Sequence, residues 1–133
     1  MIRFLFTLTF ILILFSCSSA ANITDDMTPA TLIQRGQEAM DRNNYKAAIQ
    51  YYQVLRERNL TNIDLIITAE YHIAFIHYKQ KKYDQARTEM NAVLAYYNSP
   101  DEVLYPQHFK RLAQIIIQNI EEKEKNRRPL FGN

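Results

Sequence analysis

The chain has 133 residues, with 16 basic against 14 acidic side chains for a formal charge of +2, and 47% of its residues are apolar. That near-neutral balance gives no clustered basic surface of the kind nucleic-acid binding requires. One cysteine excludes an intrachain disulfide, and the length, once an N-terminal run of 16 residues is set aside, suits one domain with one core.

The N-terminal run begins with Met1, Ile2 and Arg3, followed by Phe4 to Phe15, which is apolar except at Thr7 and Thr9. It is too short to span a bilayer, which needs about 20 apolar residues, and its length suits the apolar region of an export signal. It ends in Leu14-Phe15-Ser16-Cys17, after which small and polar residues take over. Leu14, Ser16 and Cys17 resemble the bacterial lipobox. The resemblance implies a signal peptide over 1–16 and a mature chain that starts at Cys17, acylated on its sulfur and its amine, palmitate-type chains included. Loss of Arg3 then leaves the mature side chains near +1. A plain secretory signal cut after Ala20 or Ala21, with Cys17 discarded, is the competing reading.

Residues 17–28 are polar and small, without hydrophobic periodicity, and read as a lipidated flexible tether reaching up to roughly 40 Å. Thr28-Pro29 is a helix-start signal. A first helix carries Leu32, Ile33, Gly36, Ala39 and Met40 and stops at Asp41 to Asn44. A second begins near Tyr45 with Ala48, Ile49, Tyr52 and Leu55, then breaks between Arg56 and Asn62. A third covers Ile63 to Gln80, Lys81-Lys82 makes the turn, and a fourth carries Tyr83, Ala86, Met90, Val93, Leu94 and Tyr97.

Asn98 to Asp101 ends the fourth helix, because Pro100 cannot continue the donor ladder. A fifth follows Pro106 with Phe109, Leu112, Ala113, Ile116, Ile117 and Ile120 on one stripe. The charged run Glu121 to Arg128 is expected to fray into solvent. The paired tyrosines Tyr51-Tyr52 and Tyr96-Tyr97 are expected to bury one ring each. The sequence thus predicts an all-α fold: a helical domain over 29–126 and a disordered tail over 127–133. A short docking tail at Arg127 to Phe131 is the other reading of that end.

Aligning Tyr45 with Tyr83 superimposes Gly36 on Ala74, Ala48 on Ala86, Tyr52 on Met90 and Leu55 on Val93, a spacing of 38 residues. Small residues at these places let helices cross near the short interaxial limit of about 8 Å. Together with Asn44-Tyr45-Lys46-Ala47-Ala48-Ile49 and Lys82-Tyr83-Asp84-Gln85-Ala86-Arg87, the pattern resembles the tetratricopeptide repeat. The resemblance spans roughly residues 29–97 and implies two helical hairpins plus a C-terminal capping helix, an α-solenoid fragment.

In that family the first helix of each hairpin lines a groove for peptides. The resemblance therefore implies a protein-binding site made of Tyr71, His72, Phe75, Tyr78 and Lys79 with Gln37 and Met40, flanked by Ile33, Gln34 and Asp41. Packing of the same aromatics inside the chain is the alternative. No cofactor or metal is expected: His72 and His77 are five apart, His108 has no partner at ligand spacing, and no nucleophile motif is present. Glu70 could approach His77 across two turns, but an ordinary surface or core contact is expected there and not acid/base catalysis.

The expectation is a non-enzymatic, protein-binding scaffold, lipid-anchored in the bacterial envelope and facing the periplasm, at the outer membrane. Lipobox and tetratricopeptide-like helices together resemble the small lipoprotein subunit of the machinery that inserts β-barrel proteins. That implies an outer-membrane barrel protein, or its periplasmic domains, as partner. A scaffold for pilus or secretion-system assembly is the alternative.

Overall fold

A computed structural model describes residues 19–127 of the chain. The signal at 1–16, Cys17 and the tail beyond Arg127 lie outside the described residues. Five α-helices follow one another: α1 (Pro29–Asp41), α2 (Tyr45–Arg58), α3 (Ile63–Lys79), α4 (Tyr83–Ala95) and α5 (Gln107–Arg127), with short 3₁₀ turns at Tyr96–Asn98 and Glu102–Leu104 before α5. No strand occurs among the described residues. The architecture is all-α, with two antiparallel hairpins, α1–α2 and α3–α4, stacked as in a solenoid and α5 laid against the second.

Three of the helices, α1, α2 and α3, begin where a side chain can satisfy an otherwise orphaned backbone donor. Thr28 Oγ1 accepts from Thr31 N at 3.2 Å, with Pro29 in the first turn. Asn44 Oδ1 accepts from Ala47 N and Asn62 Oδ1 from Leu65 N, both at 3.2 Å. Each hairpin turn is closed in one way. Asn43 (φ 56°) and Lys81 (φ 62°) take the left-handed conformation. The next amide then donates to the carbonyl five residues back, Asn44 to Ala39 at 2.8 Å and Lys82 to His77 at 3.0 Å. This is the Schellman closure, which satisfies the last carbonyls of α1 and α3. The two turns lie 38 residues apart, at the spacing of the repeat.

α3 is the central helix, and it buries residues around most of its circumference because it has neighbours on several sides. Its Ala69 and Ile76 join Leu32, Ala48, Tyr52 and Leu55 in a core shared with the first hairpin. Its Ile67, Tyr71 and Ala74 join Met90, Val93 and α5's Phe109, Ala113, Ile116 and Ile120 in a second core. The 109–120 stripe therefore covers the open side of the second hairpin.

Three local expectations are corrected. Residues 19–28 form a docked strap along α2 and not a free tether. Ala21 N donates to Gln50 Oε1 at 2.9 Å, Asn22 and the Tyr51 hydroxyl exchange hydrogen bonds at 3.2 Å, and Ala21, Ile23 and Met27 pack on the first core. Tyr51 is consequently buried along with Tyr52, whereas Tyr96 and Tyr97 divide into one half-buried and one buried ring. The charged end of α5 stays helical through Arg127, with Glu124 paired to Arg87 and the Arg127 guanidinium 5.3 Å from the Tyr83 ring. Glu70 pairs with Arg56 at 3.7 Å, leaving His77 Nδ1 2.6 Å from Glu89 on α4.

Candidate protein-binding cleft

Three helices border a cleft of about 450 Å³. α1 supplies Ile33, Gln37, Met40 and Asp41, spaced so that all four share one face. α3 supplies Thr68, Tyr71, His72 and Phe75 with the same periodicity, and the first turns of α5 add His108, Phe109 and Leu112. Five of the seven groove residues expected from sequence thus meet here: Gln37, Met40, Tyr71, His72 and Phe75.

The other two do not reach it. Tyr78 continues the ring row of Tyr71 and Phe75, each step 6.1 Å, but it stands past the end of the cleft, where Tyr83 packs on it at 5.9 Å. Lys79 is exposed in the last turn of α3. Gln34, named as a flanking residue, turns instead to Glu38, donating at 2.9 Å. The α5 wall was not foreseen. Phe109 and Leu112 belong to the stripe assigned to the core, yet Leu112 is 39% exposed and faces the cleft.

The floor is aromatic and largely buried. Tyr71 is buried, its ring 4.8 Å from that of Phe109. His72 stacks on Tyr52 of α2 at 4.6 Å with planes 8° apart. Tyr52 fits because residue 36 is glycine: a Cβ there would stand 2.7 Å from Tyr52 Cζ. Neither His72 Nδ1 nor the Tyr52 hydroxyl has a hydrogen-bond partner among the described residues. Burial, aided by the charge of nearby His108, pushes the His72 pKa down to about 4. The ring is therefore neutral at neutral pH. Burial likewise raises the Tyr52 pKa, reinforced by Asp41, so its hydroxyl keeps its proton.

The cleft thus offers apolar and aromatic contact area at its base, with a carboxylate at Asp41 and an amide at Gln37 on its exposed rim. Such a surface suits the seating of a side chain or a short segment. Among the described residues no cluster of three metal-ligating side chains occurs, and no helix is long and apolar enough to cross a membrane.

Fold and cleft define an all-α protein of stacked helical hairpins with a three-walled aromatic groove. The chain is similar to a protein of Treponema pallidum (strain Nichols) described as an uncharacterized protein, with 29% identity over 110 residues. The match takes in 80% of this chain and 44% of that protein, so the chain spans less than half its relative's length. No family model and no solved structure matches.

Proposed function

We propose that this chain is a lipid-anchored, tetratricopeptide-type scaffold of the bacterial cell envelope that binds protein partners and performs no chemistry of its own. The observation that carries the reading is the α1–α3–α5 cleft, with Met40, Phe75 and Leu112 around an aromatic floor and Asp41 at its rim. A partner segment that places an apolar side chain on that floor and a basic one beside Asp41 complements it best. Cys17 supplies the anchor, and several acyl chains hold a protein durably on a membrane at roughly 0.8 kcal/mol per buried methylene. The machine we assign it to is outer-membrane β-barrel assembly, with a barrel protein or its periplasmic domains in the cleft.

Photocrosslinking residues placed at Gln37 and Leu112, on opposite walls, test this in envelopes of the native host. Crosslinks from both positions to an outer-membrane barrel protein, lost with Phe75→Ala and Asp41→Lys, support the assignment. Crosslinks to pilus or secretion components would move the same module to a different machine, and an absence of protein crosslinks at both walls would end the binding reading.

A further inference from the structure

The docked strap fixes which end of the molecule lies beside Cys17. Asn44 Nδ2 donates to the Ser19 carbonyl at 2.8 Å. Farther along, Arg58 donates to the Thr24 carbonyl at 3.1 Å and pairs with Asp25 at 3.3 Å. The strap therefore runs the length of α2, starting at that helix's N-terminus. One residue, Ser18, separates Ser19 from Cys17, so the two lie at most about 8 Å apart along the chain.

Successive helices alternate in direction, so the two Schellman turns share this end. The contact of Arg127 with the Tyr83 ring brings the last turn of α5 there as well. The charges are sorted between the ends. Arg42, Lys46, Lys79, Lys81, Lys82 and Arg127 are all exposed on the strap-start end, and the four lysines form no ion pair among the described residues. Asp41 and Asp84 flank its two turns, and the last turns of α5 add Glu121, Glu122 and Glu124 alongside Lys123, Lys125 and Arg127. The far end carries Asp25, Asp26, Glu57, Asp64, Asp101 and Glu102 against Arg56, Arg58, Lys110 and Arg111, with Lys110 paired to Glu102, and its Leu60, Val103 and Leu104 are each more than 70% exposed.

We propose that the 42–46 and 79–82 turns form a basic foot that stands on an anionic phospholipid surface, holding the helical stack upright with its acidic, apolar-tipped end pointing away. The inference rests on the reading of Cys17 as the lipid-bearing residue and adds an orientation to it. Two observations converge on a lipid surface as occupant: the short chain from Ser19 to the anchor, and lysine charges without protein partners at that end alone. Cations near an anionic leaflet are attracted within a Debye length, and the strap keeps these inside that range.

The test uses the full mature lipoprotein in vesicles of phosphatidylglycerol with phosphatidylethanolamine. Acylation blocks the lone native cysteine, so single fluorophores can be placed through Asn126→Cys on the basic end and Val103→Cys on the far end. Spin-labelled headgroups report the depth of each. The expected result is several-fold stronger quenching at 126 than at 103. The contrast should collapse with Lys46→Glu, Lys81→Glu and Lys82→Glu combined, on phosphatidylcholine vesicles, or when salt rises from about 0.1 M to about 1 M and the Debye length falls from about 10 Å to about 3 Å. The salt and lipid arms use the unaltered turns and so do not depend on the triple variant folding. A lipoprotein that floats with the vesicles but quenches equally at both positions, or shows contrast indifferent to charge and salt, overturns the foot alone. A wild-type chain that does not float and keeps a reactive Cys17 overturns the anchor and the foot together.

Discussion

The two hairpins are one backbone plan filled by two different cores. Gly36 and Tyr52 of the first stand where Ala74 and Met90 stand in the second, and all four are buried. In the first, a flat rigid ring lies over a residue with no side chain, close enough that a methyl would collide with it. In the second, a flexible thioether shares its core with a methyl. What the repeat holds constant is the volume of the pair, which cores tolerate far better than a change in total volume. The first solution has a further consequence: the Tyr52 ring carries His72 on its face and so links the first hairpin to the cleft floor.

The largest test of that difference removes the two large members in turn. Tyr52→Ala should cost about 3–5 kcal/mol by denaturant unfolding, and Met90→Ala should fall lower in the range of about 2–5 kcal/mol expected for such truncations. Equal losses, or a greater loss at Met90, would mean that stacking under His72 adds nothing.

His72 gives the next largest effect, and it is one of pH. Its pKa is depressed from 6.5 to about 4, so below about 6.5 the unfolded chain takes up a proton that the folded chain refuses. Stability contributed by the neutral ring is full above that value and falls as pH drops, by up to about 3 kcal/mol near pH 4. His72→Phe should flatten this part of the profile. Comparing the two proteins at pH 7 and pH 4.5 cancels the titration of other groups. If wild type and variant lose stability in parallel, the histidine is not the cause.

Smaller again is Gly36→Ala, expected to destabilise by about 1–3 kcal/mol through overpacking. Adding Tyr52→Met copies the second hairpin's pair into the first. The cycle should then show a favourable coupling of about 1 kcal/mol or more between the two changes. Strict additivity would break the idea of an exchanged pair.

Much of this organisation was legible in the residues because it is local or periodic. Thr28-Pro29, Asn44 and Asn62 mark helix starts by their own side chains, and the stripe from Phe109 to Ile120 repeats at helical spacing. What stayed hidden depends on partners distant in the chain. Ala21 and Ile23 sit among polar residues with no helical period, and only the face of α2 that receives them makes the segment a strap. Glu124 looks like part of a solvated charge run until Arg87, 37 residues earlier, is brought beside it. For the cleft, the spacing of Tyr71, His72 and Phe75 placed them together correctly. It carries no information on how far the groove extends, so neither its end short of Tyr78 nor its α5 wall is legible from the spacing.

The smallest contrast lies in how the second helix of each hairpin starts. Asn44 caps α2 with its side chain, whereas Lys82 at the equivalent place gives α4 no side-chain hydrogen bond. Lys82→Asn should therefore stabilise the protein by about 1 kcal/mol, the usual value of such a cap. The reverse exchange, Asn44→Lys, should cost somewhat more than that gain, because Asn44 also holds the Ser19 carbonyl. The excess has its own signature. With the strap's first contact gone, the amides of Ala21 and Asn22 should exchange with solvent faster in Asn44→Lys and unchanged in Lys82→Asn. Equal and opposite stability changes, with exchange at Ala21 and Asn22 unaltered, would show that the Ser19 contact adds nothing and that the strap is held by Gln50, Tyr51 and Arg58 together with the packing of Ala21, Ile23 and Met27.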